Sequence, residues 1–154
     1  MSRKLTLDCE FDHDYTLIAI NSTLEEYRLV YFLNKFLKIK LSCESGGLSF
    51  NDKNCAFGLY TYYCPASYSE YVFLANKQYF ANNIVAENVL FTEQTHISYL
   101  IEEKKDVDFF LKINDDYNQL NTLNIINKIK EIPGVVTTFS VAPDSLKSKD
   151  YLIF

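Results

Sequence analysis

The sequence predicts an α+β fold, two helices packed on a mainly antiparallel sheet with a C-terminal β-α-β unit, in a single domain over residues 1–154. Three observations lead there. Residues 107–113 read VDFFLKI, with Val107, Phe109, Leu111 and Ile113 on one face and Asp108, Phe110 and Lys112 on the other, the alternation of a strand lying on a core. Asn114, Asp115 and Asp116 break that run. Leu123, Ile126 and Ile129 then recur at helical spacing until Pro133 and Gly134 stop the helix ahead of a return strand, VVTTFSV. Upstream, one amphipathic helix is followed by short β-rich segments separated by turn residues, the layout of an antiparallel meander.

Taken in order, Leu5, Leu7, Cys9 and Phe11 alternate as an opening strand, which Asp12, His13 and Asp14 interrupt. Thr16 to Ile20 reads as a fully buried strand. Ser22 stands three residues before Glu25, the spacing of a capping box, and predicts a helix from Thr23 to Lys38. Leu29, Phe32, Leu33, Phe36 and Leu37 form its main apolar stripe. Leu24, Tyr27 and Tyr31 lie on roughly the opposite side, so that second stripe is either covered within the domain or offered to a partner. Strand candidates follow at 40–44, 48–50, 55–63 and 68–77, with Gly46-Gly47, Asn51-Asp52 and Pro65 at the breaks. Phe57, Tyr60, Tyr62, Tyr63, Tyr68, Tyr71 and Phe73 make the last two an aromatic-rich hairpin. Cross-strand packing accounts for such a hairpin. Base stacking would also need a basic groove, and Glu70 and Lys77 are the only charged residues between Lys53 and Glu87. Residues 78–90 read as a loop or short helix, 91–101 as a strand, and 102–106 as a charged connection into Val107. Tyr151 to Phe154 either finishes the sheet as an edge strand or docks on another chain.

Composition narrows the function classes. Hydrophobic residues at 48% and aromatic residues at 16% suit a packed core rather than a disordered chain. A formal net charge of -5 argues against direct binding to a phosphate backbone. The start of the chain carries no apolar run of the kind that forms a signal peptide, and no stretch is apolar enough for a membrane helix, so a cytoplasmic protein is expected. Cys9, Cys43, Cys55 and Cys64 contain no C-x-x-C pair and are expected as reduced, mostly structural thiols.

No catalytic constellation is recognisable. His13 lies between two aspartates in a polar turn with no nucleophile beside it, and His96 alternates with Gln94 and Ser98 on a strand face. Cys9 and His13 have i, i+4 spacing, but no close cysteine pair anchors a tetrahedral metal site. The four glycines form neither a phosphate loop nor a dinucleotide fingerprint. No enzyme activity, cofactor or metal is therefore expected. Asp108 leaves its strand on the side away from Val107 and Phe109. It serves either a structural hydrogen-bonding role, with a turn or with Lys112, or a partner contact.

Residues 101–109, IEEKKDVDF, resemble the signature of the IPExxxVDY family, a group of small uncharacterised proteins of the Bacteroidetes. Ile101, Glu103, Val107 and Asp108 match; Glu102 replaces the proline and Phe109 the tyrosine. YTLIAI (15–20), LNK (33–35) and ANK (75–77) also look similar to that family. The resemblance implies a bacterial cytoplasmic protein without an assigned activity.

These readings converge on a non-enzymatic binding or adaptor module acting through a protein partner or a homodimer. Its candidate contact residues are Leu24, Tyr27, Tyr31, Glu103, Asp108, Tyr151, Leu152, Ile153 and Phe154. A second expectation, by fold-level analogy, is a small-molecule-sensing regulatory domain. Split β-α-β folds of the ferredoxin-like kind use the same terminal unit, and the Ile132–Val135 turn is similar to the loops of ACT-type domains. A third is an RNA-associated accessory protein, which would need a basic stripe beside the aromatic hairpin.

Overall fold

A computed structural model describes residues 14–50, 53, 56–82 and 94–153. The expected opening strand with Cys9 and His13, and also Cys55 and Phe154, lie outside these residues. Strands β1 (Thr16–Ser22), β2 (Ser42–Cys43), β3 (Leu59–Cys64), β4 (Ser69–Ala75), β7 (Phe109–Asp115) and β8 (Val135–Val141) form a six-stranded sheet in the order β2-β3-β4-β7-β1-β8. Strands β5 (Lys77–Asn82) and β6 (Gln94–Tyr99) form a separate two-stranded hairpin. Helix α1 (Glu26–Leu37) follows β1, and α2 (Thr122–Lys130) joins β7 to β8. The chain is an α+β domain with a mainly antiparallel sheet.

Both β7 and β8 run antiparallel to β1. They are therefore parallel to each other with β1 between them, a split β-α-β unit. β1 and β4 flank β7 in the same way, with α1 in their connection. The four strands β8-β1-β7-β4 thus have the ferredoxin-like β-α-β-β-α-β connectivity. β2 and β3 extend one edge, and the β5–β6 hairpin is inserted between β4 and β7.

The alternation of each inner strand divides its residues between two cores. Ile18, Ile20, Phe73, Leu111 and Ile113 meet Leu29, Val30 and Leu33 of α1 and Ile125, Ile126 and Ile129 of α2. Leu17, Ala19, Val72, Leu74 and Phe110 face the other way, where Phe57, Leu100, Ile101, Val107, Leu146 and Leu152 cover them. Helices pack on one face and irregular chain on the other. Burying both faces of the central strands is what makes them read as nearly continuous apolar runs.

Several expectations need correction. The capping box does not form: the N-cap of α1 is Glu25, which makes no side-chain cap bond, and the Ser22 hydroxyl instead accepts from the Leu24 amide and donates to the Gly134 carbonyl. Val107 precedes β7 and turns into the second core, opposite to Phe109, Leu111 and Ile113. Leu123 is 67% exposed; Ile125 joins Ile126 and Ile129 in facing the sheet. The segment at 40–44 shortens to the two residues of β2, and 48–50 contributes one bridge, Leu48 to Phe57. The expected strand 68–77 breaks at Asn76; of the segment 78–90 expected as loop or short helix, residues 78–82 belong to β5 and 83–90 lie outside the described residues. Lys149–Leu152 is a 3-10 helix, not an edge strand. Cys43 is exposed rather than structural.

Candidate interaction surfaces

Asp108 sits where three segments converge. Its backbone N–H donates to Asn21 Oδ1 at 3.1 Å, and its carboxylate accepts from the Ser22 amide at 3.0 Å and from Lys77 Nζ at 2.8 Å. Lys112, the partner considered from the sequence, points into the second core instead. The Asp108 bond, more than any other influence, holds the Lys77 ammonium above its ordinary value. Beside it, Asn76 is fully buried. Its amide nitrogen donates to the carbonyls of Lys104 and Val107, and its oxygen accepts from the Ile101 amide at 2.7 Å. Together Asn76 and Asp108 fix residues 100–108 at the root of the hairpin.

A groove of about 350 Å³ opens over this knot, walled by Leu24, Tyr79 and Phe109 and by Glu25, Glu26, Lys77 and Asp108. Of the residues proposed from sequence, it brings together Leu24 and Asp108. Leu24 also packs against Gly134, whose φ of +98° and lack of a side chain the turn requires, since a Cβ there would stand 2.6 Å from Leu24 Cγ. Glu26 continues the wall into a neighbouring open groove beside Gly46, Gly47 and Gly58. Burial raises the Glu26 carboxyl above the usual range, against the opposing effect of a hydrogen bond with Tyr60. Burial, then the Glu26 and Cys43 charges, push the Tyr60 hydroxyl up to about 12.

Tyr27 and Tyr31 stand one turn apart on α1, each 63% exposed. Glu103 lies elsewhere and closes a latch: both its carboxylate oxygens accept from Ser148, one from the amide and one from the hydroxyl, each at 2.7 Å. Burial alone would raise its pKa; the Ser148 bonds outweigh that and lower it. The latch anchors the C-terminal segment on its own chain. There Leu152 is fully buried in the second core, and the Tyr151 ring meets Phe50 edge-on at 4.8 Å. Leu152 is thus spent within the fold. Ile153 is half-buried beside it.

The aromatic hairpin packs on itself, Tyr60 on Phe73 at 5.9 Å and Tyr62 on Tyr71 at 6.0 Å. His96 stacks on Phe80. Among the described residues, no group of three or more His, Cys, Asp and Glu side chains is arranged to hold a metal ion.

The sequence reading passed over β8. Among the described residues this strand ends the sheet and pairs only with β1, which leaves its outer edge without a partner strand. VVTTFSV contains no charge and no proline. Val136 is 65% exposed and Phe139 is partly exposed. Charged side chains, prolines, bulges or a very short strand usually guard such an edge, and β8 carries a register shift against Asn21 and Ser22 near its start. At the other end of the sheet, β2 is only two residues long. The signal was legible as seven strand-forming residues without an ionisable group.

No family model, curated protein or solved structure matches the chain. Among the described residues, no helix is long and apolar enough to cross a membrane.

Proposed function

We propose that the chain is a non-enzymatic binding or adaptor module that engages protein by adding a strand to its sheet at β8. The observation that carries this reading is the seven-residue, uncharged outer edge of β8. Strand addition supplies affinity through main-chain hydrogen bonds and needs no catalytic group. In the groove, Lys77 and Asp108 are bonded to each other, and Asp108 also to backbone, so they serve the fold rather than standing ready as acid and base. The free thiols of Cys43 and Cys64 support a reducing, cytoplasmic setting. Membership of the IPExxxVDY family fits this reading and stands as part of the proposal.

The test is recovery of tagged protein from its own cells, with and without nuclease, comparing wild type with Val136→Lys. The replaced side chain is exposed, and a lysine on an edge strand opposes pairing. A stoichiometric protein chain that survives nuclease and is lost from the variant is expected. Identical recovery by both proteins overturns the edge reading, and loss with nuclease moves the function to RNA.

A second reading, a small-molecule-sensing regulatory domain, is favoured by the groove itself. Ser22 and Leu24, which hold the Ile132–Val135 turn, also line it. Chemical-shift changes confined to Leu24, Lys77 and Phe109 on titration with a metabolite mixture would support it; an unchanged spectrum would remove it.

A further inference from the structure

We infer that the groove over Asp108 takes a small organic ammonium ion with an apolar arm, seated with its charge on the Glu26 carboxylate. The inference rests on the small-molecule reading of that groove and names the class of ligand. Two openings meet at this carboxylate. Glu26 and Gln78 line both the groove of about 350 Å³, with Leu24, Tyr79 and Phe109, and the neighbouring one of about 380 Å³ over Gly46, Gly47 and Gly58. Gly58 makes the room, since a Cβ there would overlap the Glu26 carboxyl group.

The chain supplies this carboxylate with no counter-charge. Among the described residues Glu26 enters no ion pair, and its hydrogen bond is with the neutral Tyr60 hydroxyl. Among the described residues lining the two openings, Lys77 is the one cation, and it is bonded to Asp108 at 2.8 Å. Glu25 and Glu44 add further negative charge. A place in the first turn of α1 favours a carboxylate, yet burial dominates and holds the Glu26 carboxyl above its ordinary value. Carboxylates withdrawn from water are normally paired. This one retains acceptor capacity beyond its bond with Tyr60. Taken alone, the Glu26 charge opposes folding; an ammonium with three N–H donors offsets that cost. Beside it, Leu24, Tyr79 and Phe109 offer an apolar wall for the arm, with ring faces that attract a cation.

Protonation gives the site a signature. The groups that share its openings are Tyr60 and Cys43 from β3 and β2, Lys77 from β5, Asp108 ahead of β7, and Glu25 and Glu44. Lys77 and Tyr60 are both raised and keep their protons while Glu26 titrates. Binding therefore strengthens as pH rises through the folded value of Glu26, and a bound ammonium draws that value down.

The experiment is a nuclear magnetic resonance titration of the full chain with 2-phenylethylamine, its neutral isostere 2-phenylethanol and the anion 3-phenylpropionate. The proteins are wild type, Glu26→Gln and Tyr79→Ser, each checked for folding by circular dichroism. Glu26→Gln is isosteric and removes a charge that opposes folding, and the Tyr79 side chain is 61% exposed. The amine should shift Glu26, Gly58 and Gln78 with a Kd of about 1 mM. The alcohol should bind at least about tenfold more weakly and the anion not at all. Glu26→Gln should weaken the amine at least about tenfold, leave the alcohol unchanged and flatten the pH profile, which sets Glu26 apart from Glu25, Glu44 and Asp108. Tyr79→Ser should weaken amine and alcohol alike. In the wild type, the Glu26 side-chain carboxyl carbon should titrate at lower pH with the amine present. No saturable shift at about 10 mM amine, well above that Kd, overturns the inference, as does an amine bound equally by Glu26→Gln or a Glu26 titration that does not move. If amine and alcohol bind equally, or a metabolite mixture shifts the groove where the amine does not, the ammonium inference fails and the groove reading stands. If every probe and the mixture leave the spectrum unchanged, both fail.

Discussion

The ammonium of Lys112 donates to the carbonyl of Leu152 at 2.7 Å beneath the second face of the sheet. Lys112 is buried there, with its Nζ over the Tyr15 ring at 4.6 Å from the centroid. The bond ties the middle of a central strand to the last described turn of the chain. Burial lowers the Lys112 pKa, partly offset by the Glu70 charge. Between that lowered value and the ordinary lysine value of 10.5, the unfolded chain holds more protons than the folded one, so this group makes stability rise with pH.

Lys112→Met should remove that rise. It forgoes a charge-assisted bond, about 1.5–3 kcal/mol, and also removes the cost of burying an ammonium, so global stability should change by about 1 kcal/mol or less. The visible effect should be local: faster hydrogen exchange at Tyr151 and Ile153, with β1 and β7 unchanged. Urea unfolding at several pH values checks the first part, and equal pH slopes for the two proteins would refute it.

Asn76→Ala should cost much more. It strips a buried site of two donors and one acceptor and leaves the Ile101 amide and the Lys104 and Val107 carbonyls without their partner. At about 1–3 kcal/mol for an unsatisfied buried group, a total loss of roughly 3 kcal/mol is expected. Residues 100–108 and the β5–β6 hairpin should lose exchange protection first.

Glu26→Gln should stabilise the protein at neutral pH. The folded-state pKa of Glu26 is raised, so its contribution is complete below the unfolded value of 4.5 and is lost as pH rises through the folded value. Glutamine matches the neutral form at every pH. The variant should therefore melt higher than wild type at pH 7, and the gap should close below the unfolded value. A constant gap across this range would show that the effect does not come from ionisation.

Alkaline unfolding should begin with tyrosines. Burial and the Asp144 charge push Tyr15 up to about 12, and Tyr60 is raised to about 12 by burial and its Glu26 and Cys43 neighbours. Their contribution is complete below the unfolded value of 10.0 and is lost as pH rises toward about 12. Spectrophotometric titration should show a late group of tyrosines that moves to lower pH in urea.

Much of this architecture was legible in the chain. β1, α1, β7, α2 and β8 appear near their expected places because alternation and helical spacing are local signals. The order of the strands was not legible, since nothing local says that β1 will lie between β7 and β8. Val107 misled because it precedes the strand whose alternation it seems to continue. Leu123 misled because α2 places it at the helix start on the outer surface. The second core was hidden for a different reason: the chain covering it, around Leu100, Leu146 and Leu152, is irregular and shows no periodicity. Asp108 stood out correctly as unusual, but its partner Lys77 lies in a hairpin that the pattern of residues 68–90 does not separate from the strand before it.

The place of β1 also governs when the domain can assemble. Its residues emerge early, yet Thr16 pairs with Ile113 and Leu17 with Val141, so both of its neighbours come from the last third of the chain. Until then, a strand apolar on both faces has no sheet to join. Such long-range pairing slows folding and prolongs the exposure of sticky intermediates. A nascent chain released before residue 109 would present TLIAINS with neither partner, and its fate would depend on how quickly chaperones or proteases reach that segment.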